Sequence, residues 1–216
     1  MDMLEHDVNR RIAGRVRDLR AARGLTLEAL AERSGVSRSM ISLIERGESS
    51  PTAARLERIA AGLNVSLPSL FDRPPSDASP LARRAEQLKW RDPASGYTRR
   101  NVSPGGFASP IEIVEVEFPP AQRVAFESCA RDIRVHQQVW VLDGSIEVRV
   151  GEDCHQLHSG DCLAFVLDRP TGFHNNTNKM TRYIVVITSQ ANYAKKGDGQ
   201  PTARSVHGSP LGHHDR

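Results

Sequence analysis

The chain has 216 residues, 38% hydrophobic and 25% charged, with a formal net charge of +3. These are the proportions of a soluble globular protein, long enough for one large domain or two small ones. No run is long enough to span a bilayer, Met1 to Arg11 is too polar for a secretory signal, and three cysteines without a C-x-x-C pair point to the cytoplasm. A charge of +3 is a weak sign of a nucleic-acid partner, because placement counts for more than the total.

Helical periodicity comes first. Val8, Ile12, Val16 and Leu19 recur at four and three residues and form one apolar stripe, with Gly24 placed to end the helix. Thr26 can cap a second helix, in which Leu30 and Ala31 face inward before Gly35 breaks the chain. Ser37 can cap a third, with Ile41 and Ile44 toward the core and Gly47 at its end. Thr52 can open a fourth with Leu56, Ile59, Ala60 and Leu63 buried, and Ser66 a short fifth ending near Phe71. Five short helices over residues 8 to 71 predict a compact bundle.

The polar stretch from Asp72 to Pro80 is punctuated by prolines and reads as a semi-rigid linker. The period then changes to two. Ile111 to Phe118 alternates with a slip at Val114 that predicts a bulge. Val139 to Leu142 runs into Asp143-Gly144, a hairpin signal. Ile146 to Val150 alternates, His155 to His158 leads to the Gly160-Asp161 turn, and Cys162 to Leu167 and Tyr183 to Ile187 complete the strands. Short strands at this spacing predict an antiparallel sandwich or barrel. The tail after Gln190 has too little apolar surface to offset its ordering entropy.

On a helical wheel, Arg38, Ser39, Ser42, Leu43 and Arg46 share the face opposite Ile41 and Ile44. A major groove accepts such a helix, and arginine bonds guanine O6 and N7 in a bidentate way. Thr26 and Ser37 stand at helix N-termini, where free N–H groups favour phosphate. Taken alone, this face suits a solvated bundle equally well. Residues 1–73 contain no lysine, a bias that base composition explains as readily as a preference for bidentate contacts.

Val16 to Phe71 resembles the lambda-repressor/Cro type of helix-turn-helix, the Xre family. The resemblance is carried by Leu19-Arg20, Gly24-Leu25-Thr26, Leu30-Ala31, Gly35-Val36-Ser37, Ile41-Ser42, Ile44-Glu45-Arg46-Gly47, Pro51, Leu56, Ile59-Ala60 and Leu63-Asn64-Val65. It implies a structural ion pair between Arg20 and Glu45. Leu27 stands where the family usually has glutamine, which alters the expected detail of DNA readout.

Residues 97–189 resemble a cupin, a double-sheet jelly-roll barrel, on Val139-Trp-Val-Leu-Asp-Gly144, Gly160-Asp161-Cys162 and Asp168-Arg-Pro-Thr-Gly-Phe-His-Asn175. Metal-binding cupins place three histidines and a carboxylate on their strands. By family likeness those positions hold Arg131, Ile133, Gln137 and Thr171, none of which suits a metal. No metal or cofactor is therefore expected. His136 and His174 neighbour these positions and would turn inward only after a one-residue slip, while His155 and His158 read as exposed. Arg131, Ile133, Gln137 and Thr171 would instead line a pocket for a small anionic effector. The alternative is Arg131 on an exposed loop and a packed barrel.

The expected fold class is thus α+β and multidomain: a five-helix lambda-repressor-like bundle followed by an all-β cupin. The expected divisions are a DNA-binding domain over 1–72 (core 16–71, motif 27–46), a linker over 73–96, a sensor and dimerisation domain over 97–189, and a disordered tail over 190–216. The preferred function is a non-enzymatic, ligand-responsive transcriptional regulator, binding a palindromic duplex operator as a homodimer without membrane contact. Two other classes compete. Some iron-dependent epoxidases join a similar helical domain to a cupin, but they need the missing ligands. An antitoxin-type interaction module would use its second domain to bind a protein.

Overall fold

The computed structural model describes residues 2–72, 79–107, 109–128 and 131–191. The expected tail from residue 192 onward lies outside these, as does Cys129. Four α-helices come first: α1 (Asp2–Ala22), α2 (Leu27–Ser34), α3 (Arg38–Glu45) and α4 (Ala53–Gly62). Each of the three short helices is capped from within its own sequence. Thr26 accepts from the Ala29 amide at 3.1 Å, Ser37 from Met40 at 3.3 Å and Thr52 from Arg55 at 3.4 Å. Gly35 closes α2 at φ +64°, a left-handed turn that a side chain resists, and its amide reaches the Ala31 carbonyl at 2.8 Å.

The expected fifth helix is a correction: Pro68–Phe71 is one turn of 3-10 helix. Four residues leave room only for i→i+3 bonds before Asp72 turns to extended backbone. The turn still buries Leu70 and Phe71. Ile12, Val16, Leu30, Ile41, Ile44, Leu56, Ile59 and Leu63 fill the space between the helices.

Ten strands follow: β1 (Lys89–Arg91), β2 (Thr98–Asn101), β3 (Ile111–Phe118), β4 (Arg123–Phe126), β5 (Ile133–Asp143), β6 (Ser145–Val150), β7 (Asp153–His158), β8 (Cys162–Val166), β9 (Thr171–His174) and β10 (Thr181–Ala191). They build a six-stranded sheet in the order β1-β2-β3-β10-β5-β8 and a four-stranded sheet in the order β4-β9-β6-β7. Every pairing is antiparallel. The double-sheet arrangement is the one a cupin resemblance implies.

Three sequence expectations change here. Part of the expected 73–96 linker is strand β1, which pairs with β2 at the edge of the larger sheet. Asp143-Gly144 is no hairpin turn, because β5 and β6 belong to different sheets. It is a corner, and Gly144 at φ +81° is required there: a Cβ would stand 3.0 Å from Thr181 Oγ1. The hairpin lies one strand later, where Gly151-Glu152 joins β6 to β7. Val114 makes no bulge either, since β3 pairs with β10 in unbroken register. The apparent slip arises because Glu115 is buried beside Val114, in ion pairs with Arg100 and Arg182.

One core joins bundle and barrel. An aromatic chain runs from Phe71 to Trp90 (ring centroids 5.8 Å apart), Tyr97 (6.1 Å) and Phe118 (5.5 Å), then on to Tyr183 and Phe173. Polar contacts cross the same boundary. Asp92, in the β1–β2 turn, accepts from the Ala53 amide that opens α4 at 2.8 Å. Glu112 on β3 accepts from the hydroxyls of Ser66 and Ser69, and Asn64 accepts from the Asp132 amide at 2.9 Å. Among the described residues, no helix is long and apolar enough to cross a membrane.

Candidate nucleic-acid interface and barrel cavity

α2 and α3 are eight residues each, and the tight Gly35 turn sets one across the other. A period of 3.6 sends Ile41 and Ile44 into the core, so α3 turns Arg38, Ser39 and Arg46 to solvent, with Ser42 and Leu43 half-buried between them. Thr26 and Ser37 are both exposed at the amino ends of α2 and α3. Ser37 and Ser39 lie with their hydroxyls 3.2 Å apart.

Spacing along α3 puts no acid on this face, but packing of α2 brings Glu28 to it and the turn after α3 brings Glu48. Arg38 pairs with Glu28 of α2. Arg46 donates to both carboxylate oxygens of Glu48 at 2.8 Å and to the Ser42 hydroxyl at 2.6 Å. Those bonds hold the Glu48 carboxyl below its usual range and raise the Arg46 guanidinium above its own. Both pairs are exposed and screened, so each is a weak bond that phosphate can displace.

Behind this face, Arg20 on α1 donates to Glu45 through Nε at 2.7 Å and a terminal nitrogen at 2.8 Å, and its third donor meets the Leu25 carbonyl at 2.9 Å. The carboxylate raises the Arg20 pKa above its ordinary value. The fork ties α1 to the end of α3 and fixes the angle at which α3 is presented.

Between the two sheets lies a cavity of about 60 Å³. Gln137 on β5 and Thr171 on β9 line it. Arg131 and Ile133 do not, which corrects the four-residue pocket expected from sequence. Ile133 packs against the core at the start of β5. Arg131 precedes that strand and turns away, donating to Glu57 of α4 and to the Val65 carbonyl at 3.3 Å. The buried side chain of Arg131 thus links barrel to bundle rather than waiting on a loop.

Sequence reading missed the guanidinium that does line the cavity. Arg99 on β2 is 5% exposed, and its carbon lies 5.0 Å from the Phe71 ring centroid. The signal was present: Tyr97 and Arg99 share the inward parity of a strand. It was obscured because Pro93 and Gly96 make the surrounding segment read as linker. Burial pushes the hydroxyls of Tyr97 and Tyr183 well above the usual phenol range, with Arg99 opposing the shift in both.

His136 and His174 are half-buried and His158 exposed; His155, expected to be exposed, is half-buried on β7. Among the described residues, no three His, Cys, Asp or Glu side chains converge to hold a metal ion.

Known proteins resemble the helical region and most of the chain's length. Residues 16–70 match the HTH_3 family, described as helix-turn-helix. The chain is 32% identical over 166 residues to the HTH-type transcriptional regulator SutR of Escherichia coli (strain K12), a match covering 77% of this chain and 87% of SutR. A 62-residue match, 39% identical, to the HTH-type transcriptional regulator SinR of Bacillus subtilis (strain 168) covers 28% of this chain and 56% of SinR. Among solved structures, an HTH_3 family transcriptional regulator from Vibrio cholerae superposes with a TM-score of 0.68 at 29% identity, over 85% of this chain and 98% of that one.

Proposed function

The chain belongs to the Xre-type helix-turn-helix transcriptional regulators, and on that premise we propose that α3 enters the major groove of duplex DNA and reads an operator under the control of a small effector. Arg38, Ser39, Ser42, Leu43 and Arg46 face the bases. The amino ends of α2 and α3, with Thr26 and Ser37, take adjacent phosphates. The observation that carries this reading is the division of α3: Ile41 and Ile44 are buried on one side, while Arg38, Ser39 and Arg46 opposite lie open. The barrel does not cover them.

A single eight-residue helix meets few base pairs, so useful specificity needs two copies about one helical turn apart on a palindromic site. The outer face of the larger sheet supports a homodimer. Trp140 is 49% exposed there and Ile111 46%, beside half-buried Ile113, Ile184 and Val186. Water leaves such a surface readily when a second copy covers it.

The test begins by selecting operator sequences from random duplexes with the purified chain. Arg38→Ala is then expected to cost about 1–3 kcal/mol and to relax preference at one base position. Unchanged operator binding would show that another surface reads the DNA.

A further inference from the structure

Among the described residues, several arginine side chains withdrawn from water have an acid. Arg20 pairs with Glu45, Arg100 with Glu115 and Arg131 with Glu57. Arg99 does not: among the described residues no carboxylate lies within 4.0 Å of it, and its buried Nε has no hydrogen-bond partner. A buried cation without a counter-charge is costly, and an aromatic face offsets only part of that cost. The guanidinium belongs to the wall of a mostly apolar cavity that also carries Tyr97, Tyr183, Gln137 and Thr171.

We propose that this cavity binds a short aliphatic carboxylate, its head on Arg99 and its body among the apolar walls, and that helix α4 of the DNA-binding domain forms one side of the site. The carboxylate supplies the charge that Arg99 lacks and accepts from its unpartnered Nε. The tyrosine hydroxyls remain protonated donors because burial disfavours their ionisation. A cavity of about 60 Å³ holds about five water-sized groups, which limits the ligand to a short chain. Val114, Val116 and Ile187 surround that chain.

The second half of the proposal rests on Glu57. It lies on α4, lines the cavity, and spends its charge on Arg131 at the entrance to β5. An occupant therefore touches the helix that packs directly on α2. At that contact a Cβ on Gly62 would stand 2.9 Å from the Ser34 Cβ, so the helices touch without a gap and a push of α4 toward α2 is passed to it. Occupancy biases the presentation of α2 and α3 through this packing. This rests on the reading of the chain as an effector-controlled DNA-binding protein.

The experiment titrates the full chain with butyrate and with neutral butyramide by calorimetry, in the parent and in Arg99→Gln. Butyrate is expected to bind, with butyramide and the variant each about 30-fold weaker or more, the range set by hydrogen bonds to a charged group. Arg99→Gln is also expected to melt no lower than the parent, since it removes an uncompensated charge. A lower melting point with no butyrate heat from the parent would mark Arg99 as structural and overturn the site. Hydrogen exchange across Ala53–Gly62 should slow when butyrate is bound; unchanged exchange despite measurable heat would overturn the role of α4. A short labelled duplex at low salt separates the two readings. No butyrate heat from a parent that binds the duplex sinks the cavity proposal alone. A parent that ignores the duplex but binds butyrate sinks the DNA reading alone.

Discussion

Asp92 should be one of the most sensitive positions in the molecule, although it lies far from α3. Its side chain is 1% exposed and accepts three bonds: from the Ala53 amide at 2.8 Å, the Ser95 amide at 2.8 Å and the Ser95 hydroxyl at 2.6 Å. The first of these places a barrel carboxylate at the positive end of α4, where an anion gains from the helix dipole. Asp92→Ala strands all three donors away from water. Bonds to a charged group contribute about 1.5–3 kcal/mol each and share partners here, so the loss is about 3–5 kcal/mol rather than their full sum. That is a large fraction of the total stability of an ordinary domain. Thr52→Ala, which removes only the local cap on the same helix, should cost about 1 kcal/mol. Urea unfolding followed by circular dichroism reports the helices, and tryptophan fluorescence in a Trp140→Phe background reports Trp90, two residues from Asp92. In the parent the two transitions should coincide, because bundle and barrel share one core. In Asp92→Ala the midpoint should fall by about 1–2 M at ordinary urea slopes, with the helical signal lost first. A loss below about 1 kcal/mol with coincident transitions would refute the cross-domain cap.

Other consequences follow from the same contacts. Glu48→Gln releases Arg46 from its exposed partner and should tighten duplex binding a few-fold while steepening the logarithmic salt dependence by about one; anisotropy at several salt concentrations reads both, and weaker binding would remove Arg46 from the interface. Trp140→Glu puts a charge on the outer sheet face and should convert a sedimenting dimer to monomer without lowering the melting point. Burial, with Glu112 nearby and Arg15 opposing, pushes the Asp72 carboxyl up to about 6 from its usual 3.8. Such a group binds its proton more tightly folded than unfolded, so stability is intact below pH 3.8 and falls as the pH rises through 6. Asp72→Asn should therefore gain about 1–2 kcal/mol at pH 7.5, discounted for partial exposure, and nothing at pH 3.5; equal stability at both pH values would contradict the raised pKa.

The helical third was legible in sequence because its decisive interactions are local. Thr26, Ser37 and Thr52 each bond an amide three residues on, and the turn at Gly35 needs only its own backbone. The apolar stripes of α1, α3 and α4 repeat at helical period, so burial of Ile12, Ile41 and Leu56 was written into their spacing. Gln137 and Thr171, which line the cavity, were implied by the cupin resemblance through short motif offsets from Gly144 and Asn175.

What sequence could not decide depends on which distant segments meet. Asp143-Gly144 carries the chemistry of a hairpin turn, and only the separation of β5 and β6 into different sheets makes it a corner. Glu28 reaches the exposed face of α3 by the packing of α2, not by spacing along α3. For the same reason Arg131, expected in the pocket, pairs with Glu57, and Arg99, to which the sequence assigned no role, lines the cavity. Each is a guanidinium near a strand, and which one finds Glu57 and which is left facing the cavity depends on how the barrel rests on α4. A side chain's period assigns it to a face, but the charge and solvent it meets there are set by the elements packed opposite.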